Sequence, residues 1–131
     1  MRKESRNVLI DTSAWVEFFR GSSGTADAVA GLIEAGQASI CGVICYELLQ
    51  GAKSDHEAAQ LSNVLSALHY IEMDPDVWIR AGNLSARLRK KGITLPMSDL
   101  LIGALALEHN LDVLTIDDHF SSIPGLKRYQ E

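Results

Sequence analysis

The sequence predicts an α/β protein built on a central, mostly parallel sheet with helices on both faces. Three observations carry this reading. Short apolar runs bounded by polar residues, Val8-Leu9-Ile10, Ala38-Ser39-Ile40-Cys41 and Asp112-Val113-Leu114-Thr115-Ile116, read as strands. Between them lie segments whose apolar residues recur every 3.6 positions, as in Val77, Ala81, Leu84 and Leu88. The two kinds of segment alternate along the chain, which is the pattern of parallel strands joined by crossover helices.

The bulk numbers bound the rest. With 131 residues and 47% hydrophobic content, the chain is expected to form one domain over residues 1–131 around one core. Met1 to Arg6 is charged and polar, with no apolar stretch behind it long enough for a signal peptide. The longest apolar run, Leu100 to Leu107, is too short to span a bilayer, so a soluble cytoplasmic protein is expected. Cys41 and Cys45 lack the further Cys or His of a zinc site and read as buried thiols rather than ligands or a disulfide. A net charge of −5 argues against a protein that grips nucleic acid by bulk electrostatics. An anionic substrate would need local help from bound cations or from one basic element.

Taken in order, Val8-Leu9-Ile10 is a buried strand that delivers Asp11 to its C-terminal end, where open α/β sheets place ligands. A helix over Ala14–Phe19 follows, then the loop Gly21-Ser22-Ser23-Gly24. The next helix runs from Thr25, as cap, to Gly36 in the left-handed position, with Ala26, Val29, Ala30 and Ile33 on its apolar face. After the strand at Ala38–Cys41 comes a helix over Val43–Gln50 with Glu47 inside it, ended by Gly51. Ala58, Leu61, Leu65 and Leu68 mark a helix between Asp55 and His69, and Tyr70-Ile71 is a short third strand. Pro75 opens a helix that Gly92 stops. Its outer face carries Arg80, Arg87, Lys90 and Lys91, with Arg89 nearby; a solvated helix end and a substrate contact are both open readings. Ser98 is the expected cap of a largely apolar helix from Asp99 to Asn110. Asp112–Ile116 then repeats the opening pattern, a strand ending in acid at Asp117-Asp118, followed by His119-Phe120. The segment Pro124–Tyr129 offers an edge strand.

Four acids stand out. Asp11 and Asp117 end strands, Asp99 begins a helix, and Glu47 lies on an otherwise apolar helix where an unpaired charge costs several kcal/mol. Taken singly, each has a structural explanation, such as a helix-dipole partner for Asp99. Brought together they would repel unless a cation neutralised them, and all-oxygen donors favour Mg²⁺ or Mn²⁺ over zinc. The chemistry such a cluster supports is metal-assisted attack of water on a phosphodiester. Spacing alone leaves their convergence open.

Four segments together resemble the PIN-domain ribonucleases, most closely the bacterial VapC-type toxins of toxin–antitoxin pairs. They are Leu9-Ile10-Asp11-Thr12-Ser13 with Trp15 and Phe18-Phe19-Arg20-Gly21, Tyr46-Glu47-Leu48-Leu49-Gln50-Gly51, Ser98-Asp99-Leu100-Leu101-Ile102-Gly103-Ala104, and Leu114-Thr115-Ile116-Asp117-Asp118-His119-Phe120. The resemblance spans nearly the whole chain. It implies a three-layer α/β/α sandwich, a homodimer, an RNA substrate and inhibition by a cognate antitoxin. It also implies that Asp11, Glu47, Asp99 and Asp117 are the catalytic acids and Mg²⁺ (or Mn²⁺) ligands, with Thr12 or Ser13 near metal and substrate. The family varies at the fourth acid, and this chain offers Asp118 beside Asp117; Asp117, directly after the strand, is the choice. His119 is read first as a surface or packing residue and second as a substrate-positioning one. His56, His69 and His109 read as helix-surface or helix-end residues. The alternatives are a housekeeping RNA-processing PIN nuclease and a PIN-like interaction module without catalysis. A receiver-type phosphoacceptor domain ranks last, because no Lys follows the late strand.

Overall fold

A computed structural model describes residues 7–21 and 23–130. Five strands form one sheet: β1 (Val8–Ile10), β2 (Ala38–Ile40), β3 (His69–Tyr70), β4 (Asp112–Leu114) and β5 (Lys127–Arg128). Their spatial order is β3-β2-β1-β4-β5, and every pairing is parallel. Six α-helices connect them among the described residues: α1 (Thr12–Arg20), α2 (Gly24–Glu34), α3 (Gly42–Gln50), α4 (Asp55–Ser66), α5 (Pro75–Lys90) and α6 (Met97–His109). A 3₁₀ turn at Asp118–Ser122 lies between β4 and β5.

Val8, Leu9 and Ile10 are all buried. Successive strand side chains point to opposite faces, so three buried neighbours mean that both faces of β1 are covered. This is the three-layer sandwich, and the sheet is wholly rather than mostly parallel. β1 is the central strand. From it the chain runs outward through β2 and β3, then returns to place β4 and β5 on the other side. The order reverses between β1 and β4, which makes the carboxyl ends of these two strands the topological switch point where open α/β sheets form their crevice.

Several local expectations are corrected. Ser23, not Thr25, caps α2, with its hydroxyl accepting from Ala26 N at 3.0 Å, while Thr25 is buried. Ala30 is exposed and Leu32 takes its place on the buried face. α6 begins at Met97 after Pro96 rather than at a Ser98 cap, because the fixed φ of Pro96 already suits the entry. Asp99 therefore sits inside the first turn. β3 pairs at His69–Tyr70, one residue before the expected position, with Ile71 N closing onto Ile40 O at 2.8 Å. β4 stops pairing at Leu114, so Thr115 and Ile116 form a turn ahead of Asp117. Gly36 does adopt the left-handed conformation (φ +71°).

Candidate active site

β1 passes into α1 without a loop. Asp11 has extended backbone (φ −68°, ψ 158°) and caps α1, its Oδ2 accepting from Ser13 N at 3.4 Å. Ser13 Oγ and Thr115 Oγ1 both donate to the same Oδ2, each at 2.8 Å. A hydroxyl has one proton to give and lone pairs to spare. Those lone pairs accept two backbone N–H groups from the segment after β4: Ile116 N reaches Ser13 Oγ at 3.1 Å, and Asp117 N reaches Thr115 Oγ1 at 3.0 Å. The turn that carries Asp117 is thus bound through two hydroxyls to the acid that ends β1. From β5, Arg128 Nη2 donates to the Thr115 carbonyl at 3.0 Å and closes the turn from its far side.

Asp117 caps the 3₁₀ turn, Oδ1 accepting from His119 N at 2.9 Å. The turn directs the His119 ring back toward α6. Its Nδ1 lies 2.7 Å from Asp99 Oδ2 and 3.3 Å from Asp117 Oδ1. One donor atom from each of Asp99, Asp117 and His119 falls within 4.8 Å of the others, a compact set that Asp118 does not join. Asp11 and Glu47 stand outside this set. Asp11 is linked to it through Thr115, while Glu47 on α3 accepts from Thr12 Oγ1 at 2.6 Å and is thereby held beside the start of α1.

Asp11 and Asp99 are only 4% and 8% exposed, so both carboxylates are withdrawn from water. Burial pushes the Asp99 carboxyl above its usual range, and the Asp117 and Asp11 charges push the same way, against the hydrogen bond from His119. The His119 imidazole is raised by its hydrogen bond to Asp99 and then by the Asp117 charge. A site with surplus negative charge in poor solvent favours a bound cation. The carboxylate oxygens gathered here suit Mg²⁺ or Mn²⁺ rather than a thiolate-bound metal. The cysteines take no part: both are free, and burial pushes the Cys41 thiol up to about 11.

The structure gives His119 a more central place than its sequence context suggested, since a His before a Phe fits a packing role equally well. Thr115 carries a role that the sequence reading did not assign. Its signal was a hydroxyl between an apolar strand and an acid, mirroring Asp11-Thr12-Ser13 after β1. Thr12 and Ser13, expected near metal and substrate, use their hydroxyls to hold Glu47 and Asp11. The basic face of α5 stands apart from this network, with Arg80 Nε on Glu108 Oε1 at 2.6 Å.

Residues 8–126 match the PIN domain. The chain belongs to the PIN-domain family. This PIN domain is 33% identical over 128 residues to ribonuclease VapC11 of Mycobacterium tuberculosis (strain ATCC 25618 / H37Rv), covering 94% of the chain and 96% of the relative. It is 26% identical over 135 residues to ribonuclease VapC1 of Methanocaldococcus jannaschii, covering 100% and 93%. The first of these likenesses places it among the VapC ribonucleases. In fold it resembles the DNA-bound VapBC of Salmonella typhimurium, with a TM-score of 0.83 at 23% identity over 95% of this chain and 98% of that one. It also resembles a toxin–antitoxin complex from Klebsiella pneumoniae, with a TM-score of 0.75 at 26% identity over 95% and 100%. No described helix is long and apolar enough to cross a membrane.

Proposed function

We propose that this PIN domain is a divalent-metal-dependent endoribonuclease, the toxin of a toxin–antitoxin pair, hydrolysing RNA phosphodiester bonds with water as nucleophile. The observation that carries the reading is the convergence of Asp99 and Asp117, linked through Thr115 to Asp11, at the switch point of a domain whose relatives are ribonucleases. Asp11, Glu47, Asp99 and Asp117 would hold the ion, Mg²⁺ or Mn²⁺. When bound, such an ion acidifies water and offsets the charge of the phosphodiester. The chain's own residues hold the donors still. Ser13 and Thr115 fix the Asp11 carboxylate and the approach to Asp117, and Thr12 fixes Glu47.

A groove of about 670 Å³ between α1, α3 and α4 opens at Thr12 and Glu47. Lys53 on its wall, with Arg20 paired to Glu17 at 3.3 Å beside it, suits a phosphate group, and the exposed ring of Phe19 offers a stacking surface for an unpaired base. These features support a single-stranded substrate despite the acidic net charge. The enzyme works in the cytoplasm as a homodimer, a reading supported by the exposed apolar Trp78 and Met97, and is held inactive by a cognate antitoxin protein. Asp11→Asn and Asp99→Asn keep side-chain volume while removing charge. Each should lower cleavage of a single-stranded RNA by at least about a hundredfold with an unchanged circular dichroism spectrum. Parental activity in a folded Asp99→Asn protein overturns the proposal.

A further inference from the structure

We propose that His119 is itself a ligand of the divalent ion, through Nδ1, and that this nitrogen makes the site prefer Mn²⁺ to Mg²⁺. The inference rests on the metal-dependent nuclease reading and goes beyond it, since that reading assigns the ion to four acids alone. Its first support is donor spacing. Adjacent donors of an octahedral ion with bonds of about 2.1 Å lie about 3 Å apart. His119 Nδ1 lies 2.7 Å from Asp99 Oδ2 and 3.3 Å from Asp117 Oδ1, either side of that separation.

The second support is how the ring is held. Asp117 Oδ1 accepts the His119 backbone N–H at 2.9 Å, which sets the 3₁₀ turn so that its side chain faces Asp99 rather than solvent. The outer part of the ring remains in contact with water, as His119 is half exposed. A ligating imidazole needs its other nitrogen protonated and satisfied, and solvent meets that need at Nε2 without a protein partner. Nδ1 is therefore the nitrogen placed to bind, and Nε2 the one placed to carry the proton.

The chemical consequence is selectivity. Mg²⁺ is a hard ion that favours oxygen donors and keeps several waters, whereas Mn²⁺ stands among the first-row metals whose affinity for nitrogen donors is greater. One imidazole among carboxylates shifts the balance toward Mn²⁺ without excluding Mg²⁺. If His119 instead only orients Asp99 by a hydrogen bond, the ion sees an all-oxygen protein shell and the preference is absent.

The test uses the full chain freed of metal and then titrated with Mn²⁺ alone, read by calorimetry and by pulsed electron paramagnetic resonance. The bound Mn²⁺ should show modulation from one directly coordinated ¹⁴N. His119→Gln should still bind Mn²⁺ but lose that modulation, and its Mn²⁺-to-Mg²⁺ affinity ratio should fall at least tenfold. His56, His69 and His109 remain in the variant, so loss of the signal assigns it to residue 119. Tightly bound Mn²⁺ with no coordinated nitrogen in the parent overturns the inference while leaving the acid site standing. Absence of Mn²⁺ binding by the parent overturns the metal-dependent reading as well. Should His119→Gln fail to fold, His119→Asn provides the same assignment.

Discussion

Asp99 and His119 make the metal-free protein sensitive to pH in a definite direction. Both groups titrate above their ordinary values in the folded chain, so the folded state binds more protons than the unfolded state over each window. For His119 the stabilisation is complete below the unfolded value of 6.5 and is lost as pH rises through the raised folded value. For Asp99 the penalty of ionising a buried acid sets in above 3.8 and is relieved as pH falls through its raised value. The signs agree: the metal-free fold is favoured by mild acid. Melting temperatures of metal-free protein should fall between pH 6 and pH 8, and the fall should be smaller in His119→Gln. Added Mn²⁺ should reverse the trend by supplying the positive charge that protons supply at lower pH. Among single residues, no acid stood out alone, because Asp11 and Asp117 serve as caps and Asp99 lies in the first turn of a helix; only the four motifs taken together singled them out. Ser13 and Thr115 were less legible still, because a hydroxyl beside a helix start reads equally well as a cap, and only the sheet brings residues 13 and 115 together.

Two contacts between elements are narrow enough to test. A Cβ on Gly103 of α6 would lie 2.6 Å from Ile123 Cδ1, closer than two carbons can approach. Ile123 is buried, so its side chain has little room to yield. Overpacking costs about 1–3 kcal/mol, whereas replacing a helical glycine by alanine gains about 1 kcal/mol of propensity. The steric term wins, and Gly103→Ala should destabilise by about 1 kcal/mol in urea unfolding. Adding Ile123→Val removes the clashing methyl and should recover most of that loss. The second contact is Arg128 on β5, whose guanidinium holds the Thr115 carbonyl. Arg128→Ala should cost about 1–2 kcal/mol, since a hydrogen bond to a charged group is lost at a partly buried carbonyl. RNA cleavage at saturating metal should also drop, because the turn that aims Asp117 loses its outer support; full activity would show that the two hydroxyls suffice. At this scale the sequence located elements better than their ends. Periodicity marks where α5 and α6 lie, but Pro96 fits the α6 entry as well as the Ser98 hydroxyl would, and Ser23 competes with Thr25 for the α2 cap.

Across the molecule, the alternation of strands and helices pointed to a covered parallel sheet, but periodicity carries no information about which strand lies beside which. The order β3-β2-β1-β4-β5 was reachable only through the family likeness. β3, two exposed residues long, was marked only by Tyr70-Ile71, and its bounds are set by its pairing with β2. The pairing of β1 with β4 joins positions about a hundred residues apart, Val8 with Asp112 and Ile10 with Leu114. That span has a consequence for a chain made from its N-terminus. Asp11, Glu47 and Asp99 all leave the ribosome before β4 exists, and until then β1 is an edge strand whose acid has no Thr115 to fix it. The centre cannot close until residue 119 has emerged and folded back beside the first strand. On the proposed nuclease reading, a nascent chain would therefore carry no assembled cleavage centre near the very RNA that is being translated until its last strands had emerged.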